Sequence, residues 1–286
     1  MKKISRTNDL AFKKAFSSNG NTKPIIGLAK DILGIDVKEI TFKQPYTIES
    51  YAKTIKEIQT AKYYQTIKDI AADAKVNYKG VNVISELQIK EGIKFLERSL
   101  FYPTQTFAQN YDENKYDSLK PIYAINILGF KMFKQDLDGL RIFEIFDRKH
   151  NESFPINFKI AYFEYKKKIF DTDIQKYWCD YFLDKEISSN APDYIKRAAE
   201  TVEYANLDKE EREMIDLLER IEADQQARED WVINETRNET RKDDIKNSIE
   251  IMAELNIPFE TIIEKIAQKY NITAEQVNEI LNDSSH

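Results

Sequence analysis

The chain has 286 residues, of which 42% are hydrophobic and 12% aromatic, enough for a packed core, and its net charge of −6 argues against a uniformly basic nucleic-acid coat protein. A single cysteine excludes an internal disulfide framework and fits a reducing, cytoplasmic location. Of the two histidines, neither has a plausible partner in the sequence, which argues against histidine-based zinc or triad chemistry. No stretch of about 18 consecutive apolar residues occurs, so we expect no membrane span.

Two short helices are predicted at the start of the chain. A capping segment precedes an amphipathic pattern over residues 7–18, and a second helical pattern covers residues 23–34. Asp9 falls in the first turn, where the helix dipole favours an acidic side chain. The following residues, 37–60, mix extended and helical patterns and predict no single element.

Residues 67–90 predict a β-hairpin on which polar and acidic side chains approach each other. A turn segment near Lys79 joins the two arms, and the second arm is largely β-branched and apolar until Glu86 and Gln88. Because side chains alternate between the faces of a strand, Glu86 and Gln88 share a face. A tight turn near Lys79 would place Asp69, on the first arm, opposite Gln88 and diagonal to Glu86.

The acidic residues of this hairpin predict a metal site. Two carboxylates about 4 Å apart repel each other by about 4 kcal/mol at an effective dielectric of roughly 20, and a bound divalent cation removes that cost. Oxygen ligands of this kind suit Mg²⁺, with Mn²⁺ as the alternative. We therefore expect Asp69 and Glu86 to hold the cation. Asp73 has the same face parity as Asp69 but lies nearer the turn, which makes it the weaker candidate.

The middle of the chain predicts a sheet with helices around it. A helix is expected over residues 91–111, kinked or interrupted by Pro103. The apolar run at 121–130 is typical of a central strand that is buried on both faces. Two further strands are expected over 141–146 and 156–165.

The last third of the chain is predicted to be helical. A helix over 173–183 closes a first domain that we expect to span residues 1–190, and a charged helical region follows over 191–286. Helical patterns at 243–256 and 258–281 suggest a small appendage at its end. We interpret these C-terminal helices either as a small helix-turn-helix-like element or as a surface on which two copies of the chain would pair.

Six segments follow one another in an order and spacing that are typical of one known family. The segments are, in chain order, the opening from Asp9 to Phe16, Lys68-Asp69-Ile70, Glu86-Leu87-Gln88, Phe95 to Tyr102 with Arg98, the strand at 121–130, and Phe163-Glu164-Tyr165 with Lys167. Over roughly residues 5–190 they resemble the Rpn-type family, also called PD-(D/E)xK family transposases. The resemblance implies an α/β fold like that of restriction endonucleases, a mixed sheet flanked by helices, here followed by an all-helical C-terminal extension.

The resemblance also implies DNA cleavage with Mg²⁺. Asp69 and Glu86 would bind the metal, and Gln88 occupies the position at which the wider superfamily usually carries a lysine. Glutamine has no charge and cannot act as a base, although the Rpn-type family itself shows glutamine there and its amide would still orient water. Asp9 would add a further acidic group from the first helix.

Basic residues near these motifs are candidates for phosphate and DNA contacts. Lys90, Lys68 or Arg98 would supply the positive charge that Gln88 lacks, and Arg98, Lys13 and Lys90 would contact DNA. Alternatively, Arg98 pairs structurally with Glu97 or Asp69, and Lys13 is part of a solvated surface.

Three functions remain open at this point. The first is a metal-dependent DNA endonuclease linked to recombination or mobile elements. The second is a non-catalytic nucleic-acid-binding or regulatory protein on a nuclease scaffold, which Gln88 and the acidic net charge favour. The third is an interaction protein that dimerises through its C-terminal helices and carries a structural metal site.

Overall fold

The computed structural model describes residues 3–36, 41–42, 46–60, 74–78, 81–88, 94–109, 116, 119–134 and 137–282. The chain divides into two compact units, residues 1–215 and 216–286. The sequence predicts a domain boundary after residue 190, whereas the observed division follows residue 215. The helical residues between 190 and 215 therefore belong to the first unit. Within the described residues, no helix is long and apolar enough to cross a membrane.

The first unit contains most of the secondary structure. Its helices are α1 (Asp9–Ser17), α2 (Lys23–Leu33), α3 (Ile48–Thr60), α4 (Phe95–Gln109), α5 (Asp173–Phe182), α6 (Asp193–Thr201) and the start of α7 (Lys209–Glu254). Its strands are β1 (Thr41–Phe42), β2 (Ala74–Tyr78), β3 (Val81–Gln88), β4 (Ile122–Leu128), β5 (Leu140–Glu144), β6 (Phe146–Asp147), β7 (Glu152–Ser153) and β8 (Phe158–Glu164). The rest of α7, α8 (Phe259–Tyr270) and α9 (Ala274–Asn282) form the second unit.

The strands build a six-stranded mixed sheet in the order β1-β2-β3-β4-β8-β5. The three central strands β3, β4 and β8 are parallel, whereas β1, β2 and β5 pair with their neighbours in antiparallel fashion. The short strands β6 and β7 pair separately as a two-stranded ribbon. The predicted fold class, a mixed α/β sheet flanked by helices and followed by a helical C-terminus, is confirmed.

Strand β4 is buried at all of its seven positions, as its apolar run predicts. On one face of the sheet, Phe95 of α4 belongs to a core cluster with Ala124 and Leu128 of β4. Tyr162 of β8 joins the same cluster, and its hydroxyl lies 2.7 Å from Oγ of Ser99 on α4. Helix α4 is therefore fixed to this face by apolar packing and by a buried hydrogen bond.

Helices α1, α2, α5 and α6 cover the opposite face. Phe163 of β8, which alternates in direction with Tyr162, lies 6.1 Å from the Phe182 ring of α5, measured between centroids. Phe16 of α1 lies 5.9 Å from the ring of Trp178. Helix α2 contacts β4 and β8, and α6 contacts α1 and α2. Stacked and edge-on aromatic pairs of this kind add to the stabilisation that burial itself provides.

Helix α4 continues through Pro103, so the predicted interruption is wrong, while the alternative of a kink stays a prediction. Proline removes one backbone donor but leaves the rest of the helix intact, and Pro103 is itself buried in the helix. The packing of α4 against the sheet outweighs that local cost. The predicted helices at 7–18, 23–34 and 173–183 are confirmed within one or two residues at each end.

A buried ion pair closes the end of β8. Nζ of Lys167 lies 2.7 Å from Oε2 of Glu164, and both side chains are fully enclosed. The Glu164 carboxylate also accepts hydrogen bonds from the backbone N–H groups of Met132 and Phe133, while Lys167 donates to the carbonyl of Lys134. These contacts hold residues 132–134 against the sheet, so Glu164 and Lys167 both have a structural role.

The start of α7 is anchored to the first unit by a capping box. The side chain of Asp208 accepts from the backbone N–H of Glu211, and the Glu211 carboxylate accepts from the backbone N–H of Asp208. The same buried carboxylate pairs with Lys14 of α1 and accepts from the Tyr46 hydroxyl at 3.2 Å. Helix α7 therefore begins at a fixed point beside α1.

The second unit has a small aliphatic core of its own. The buried residues come from all three helices and are Ile245, Ile249, Ile262, Ile266 and Val277. Residues 243–254 are the end of α7, which continues the helix that begins in the first unit and is not a separate helix.

We expect Lys167→Met to lower the free energy of unfolding of the first unit by about 3–5 kcal/mol, because it leaves the Glu164 carboxylate buried without its counter-charge. The double variant Glu164→Gln/Lys167→Met should lose clearly less. Urea denaturation followed by Trp178 fluorescence, in a Trp231→Phe background, measures both. Equal losses of unfolding free energy in the single and double variants would show that Glu164 and Lys167 are not energetically coupled.

Candidate active site

The predicted hairpin exists, but its register differs from the prediction by two residues. Strand β2 pairs with β3 so that Val76 lies opposite Val83, whereas a pairing of Asp69 with Gln88 would place Val76 opposite Val81. The last described pair at the turn end of the hairpin is Tyr78 opposite Val81. A shift by two residues keeps every side chain on its predicted face, because the side-chain period of a strand is two.

Gln88 ends β3 and is buried, with 4% of its surface exposed. Its side-chain Oε1 accepts a hydrogen bond from a terminal guanidinium nitrogen of Arg98 at 3.1 Å, and its backbone carbonyl accepts from the N–H of Gly129 at 2.9 Å. Arg98 lies in the first turns of α4, the helix that follows β3. The structure therefore brings together two of the predicted site residues and places a cation beside the glutamine.

Position 86 lies within a row of polar residues that crosses the sheet. Glu86 pairs in register with Asn126 of β4, Asn126 with Tyr162 of β8, and Tyr162 with Arg141 of β5. Asn126 is buried and donates its amide to the carbonyl of Ala161 at 3.2 Å. Sequence reasoning missed Asn126, although it is the one polar residue within the apolar strand Ile122–Leu128.

Asp9 is held at the start of α1 by a hydrogen bond and an ion pair. The Tyr51 hydroxyl of α3 donates to Asp9 Oδ2 at 2.7 Å, and Lys13 Nζ lies 3.6 Å from the same oxygen. Burial raises the pKa of the Asp9 carboxyl, while Lys13 and the Tyr51 hydrogen bond act in the opposite direction. Helix α1 contacts β2, which brings this cluster to the hairpin side of the unit. Tyr51 was not predicted, because its segment showed no clear periodicity.

Lys13 is engaged within this cluster. Its ammonium group also lies 5.2 Å from the centroid of the Tyr51 ring. The side chain keeps 17% of its surface exposed, so the predicted contact with DNA stays a prediction.

The other predicted site residues lie outside the described residues. These are Asp69, Asp73, Lys68 and Lys90, while β3 describes the backbone of Glu86 but not its side chain. The assignment of Asp69 and Glu86 to a metal therefore stays a prediction. Elsewhere in the described part of the chain, no group of three or more His, Cys, Asp or Glu residues could hold a metal ion.

The chemistry of the hairpin fits a divalent cation at carboxylates better than at Gln88. The Gln88 amide oxygen faces the Arg98 guanidinium, which makes it a poor ligand for a second positive charge. Glu86 lies two residues away on the same strand and supplies the hard oxygen donor that Mg²⁺ prefers.

Residues 6–230 match the family model of the PD-(D/E)XK nuclease family transposase. The chain belongs to this family. No curated protein and no solved structure matches the chain. Membership confirms the resemblance stated above, and the match continues beyond residue 190 to residue 230, within α7.

The family supports a nuclease-type function associated with mobile elements. PD-(D/E)XK nucleases typically use divalent metals. The mixed sheet, the hairpin with Glu86-Leu87-Gln88 and the helix with Arg98 are the parts of this chain on which such a function would depend.

We expect Asp9→Asn to change the pH dependence of stability. Because the folded state binds the Asp9 proton more tightly than the unfolded chain, the free energy of unfolding of the wild type should fall as pH rises from about 4 through the raised pKa. The variant lacks this proton and should gain stability relative to the wild type across that window. Urea denaturation at successive pH values measures the difference.

Asp193→Asn, at a fully exposed side chain in the first turn of α6, is the matched control and should leave the pH profile unchanged. Parallel profiles for the wild type and Asp9→Asn would show that Asp9 carries no raised pKa.

Proposed function

We propose that the protein is a metal-dependent DNA endonuclease that hydrolyses phosphodiester bonds at the β2–β3 hairpin, in DNA recombination or the movement of mobile elements. The observation that carries the proposal is the hydrogen bond between Arg98 and the buried Gln88. It provides a positive charge at the position where the wider superfamily carries a lysine. Glu86 and Gln88 lie two positions apart on β3. The acidic residue is thus followed by a position that has a positive charge beside it, and Arg98 of α4 supplies that charge.

Arg98 would act through its charge and not as a base. A guanidinium stays protonated in proteins, so it cannot accept a proton from water. It can stabilise the negative charge that develops on a phosphate during cleavage, because its donors form a rigid fork. The hydrogen bond to Arg98 also fixes the orientation of the Gln88 amide.

A divalent cation, Mg²⁺ or alternatively Mn²⁺, would neutralise charge at the scissile phosphate and lower the pKa of a bound water. Glu86 would hold it together with an aspartate of the first hairpin arm. Asp9, whose pKa is raised by burial, would contribute from α1 as a further acidic group.

The observed register bears on which aspartate accompanies Glu86. The described pairs end with Ala74 opposite Ser85, so a register continued by one residue would join positions 73 and 86. The register expected from the sequence favoured Asp69, but the two-residue shift favours Asp73. We therefore propose Asp73 as the partner of Glu86 and keep Asp69 as the alternative.

The distribution of charge supports binding to DNA by the first unit. Residues 1–215 carry a net charge of +3, and residues 216–286 carry −9. The acidic balance of the whole chain, which argued against a uniformly basic nucleic-acid coat protein, thus belongs to the second unit. Lys13 and Lys90 are expected to contribute phosphate contacts, and pairing of two copies through the C-terminal helices stays a prediction.

The first test is cleavage of supercoiled plasmid in Mg²⁺, in Mn²⁺ and with a chelator. The wild type should nick the plasmid only with metal. Glu86→Gln and Asp73→Asn should each lower the rate by at least about 100-fold, because each removes a charge that the transition state needs. Asp69→Asn is the matched control and should retain most of the activity.

Loss of cleavage in Asp69→Asn with activity retained in Asp73→Asn would instead support Asp69 as the partner of Glu86, as the sequence predicts. A folded wild type that binds DNA without cleaving it would instead support the second candidate, a non-catalytic binding protein. That candidate is favoured by one observation, namely that the Gln88–Arg98 pair contains no group able to act as a base.

A second test separates the roles of the pair. Arg98→Gln should lower kcat by about 10- to 100-fold, because it removes the charge beside Gln88, while Arg98→Lys should recover part of the loss. Gln88→Lys should not raise activity above the wild type, since a lysine there would face Arg98. A gain of activity in Gln88→Lys would show that Arg98 does not replace the missing lysine.

A further inference from the structure

Strand β5 is an open edge of the sheet with an apolar surface around it. In the part of the chain that the structure describes, β5 pairs with β8 on one side and with no strand on the other. Six large apolar side chains between residues 142 and 156 are 37% to 54% exposed. They are Ile142, Phe143, Ile145, Phe146, Phe154 and Ile156.

The exposed apolar area along β5 and the segment that follows it is considerable. Each of the six side chains exposes on the order of 100 Å², so together they expose roughly 500–600 Å². Because neighbouring side chains of a strand point to opposite faces, this area is divided between the two faces of the sheet edge, and pairing edge to edge would cover part of it on both faces.

The backbone of β5 presents hydrogen-bonding groups outward at defined positions. The N–H of Glu164 donates to the carbonyl of Gly139, so position 139 forms a hydrogen-bonded pair with β8. Because such pairs alternate along an antiparallel ladder, the N–H and C=O groups of Leu140, Ile142 and Glu144 face away from β8. The Leu140 N–H is satisfied by the Asp138 carboxylate at 2.8 Å, which leaves Ile142 at the centre of the open edge.

We propose that two copies of the chain pair through β5, antiparallel to each other, with the twofold axis at Ile142. Ile142 of one copy would then exchange both backbone hydrogen bonds with Ile142 of the other. Arg141 would lie opposite the partner copy's strand at Phe143, an arrangement in which a guanidinium meets an aromatic ring. Centring the pair on Glu144 would oppose two carboxylates, which disfavours that register.

The charged residues of β5 already make contacts within one copy. The Glu144 carboxylate lies 3.0 Å from Nζ of Lys159, and the Arg141 guanidinium lies 5.1 Å from the centroid of the Phe133 ring. A continuous sheet would then separate the two β3 strands by seven strand spacings, or about 34 Å, near one turn of B-DNA. This last consequence rests on the proposed function, but the pairing itself does not.

The test uses the full chain. Sedimentation of the wild type should give a dimer, and Ile142→Lys should give a folded monomer by circular dichroism. Ile233→Lys, at an exposed side chain of α7, tests the alternative pairing through the C-terminal helices and should stay dimeric. Nuclease activity is not a readout here, so failure of the proposed function leaves the test intact.

Disulfide cross-linking provides a measurement that does not depend on a disruptive variant. In Ile142→Cys, two cysteines would face each other at a Cα separation of about 5.5 Å, within reach of a disulfide. The natural Cys179 is buried, so background is low. Oxidation should cross-link Ile142→Cys but not Arg148→Cys, an exposed control.

A monomeric wild type, or Ile142→Cys that fails to cross-link, overturns the proposal. A dimer that is lost in Ile233→Lys and kept in Ile142→Lys also overturns it and assigns the pairing to α7.

Discussion

The burial of β4 on both faces and along both edges is the constraint on which the first unit depends. All seven positions are enclosed, and parallel strands lie on either side. A parallel neighbour requires a crossover connection, and α4 is that connection between β3 and β4. Because α4 starts only a few residues after β3 ends, its first turns lie beside the last residues of β3. The contact between Arg98 and Gln88 follows from this geometry.

The carboxyl ends of the parallel strands carry two polar side chains, each of which contacts a basic side chain. Gln88, Leu128 and Glu164 share one register row. At one end of this row Glu164 forms a fully enclosed ion pair with Lys167, and at the other Gln88 accepts from Arg98. The enclosed pair has structural contacts on all sides, whereas Arg98 keeps part of its surface exposed. Open ends of parallel strands are where α/β folds bind ligands, so the Gln88 end is the one suited to chemistry.

Gln88 and Arg98 are best understood as a coupled pair. A lysine at position 88 would put a second positive charge against the guanidinium, and two such charges about 4 Å apart repel by about 4 kcal/mol at an effective dielectric of roughly 20. A neutral acceptor instead accepts a hydrogen bond from the guanidinium without adding a second positive charge. The glutamine is therefore the residue that makes an arginine on the neighbouring helix compatible with the site, and its lack of charge does not by itself indicate an inactive enzyme.

Sequence patterns predicted the elements that have strong periodicity. The apolar run of β4, the strand β8 and helices α1, α2 and α5 were predicted because their burial patterns are local. The hairpin was predicted in the correct place, but its register was not, because turn-forming residues occupy four consecutive positions and each choice of loop gives a different pairing. Tyr51 and Asn126 were missed because their roles arise from contacts between distant segments.

The edge formed by β5 carries little of the usual protection against unwanted strand pairing. Strand β5 has five residues with no proline and no lysine, and Asp138 caps only the N–H of Leu140. The ribbon of β6 and β7 adds further exposed aromatic surface next to it instead of covering it. Among the described residues, an edge that is capped at its first residue and carries exposed apolar side chains at its centre is suited to accept a strand, which is the basis of the pairing proposed at Ile142.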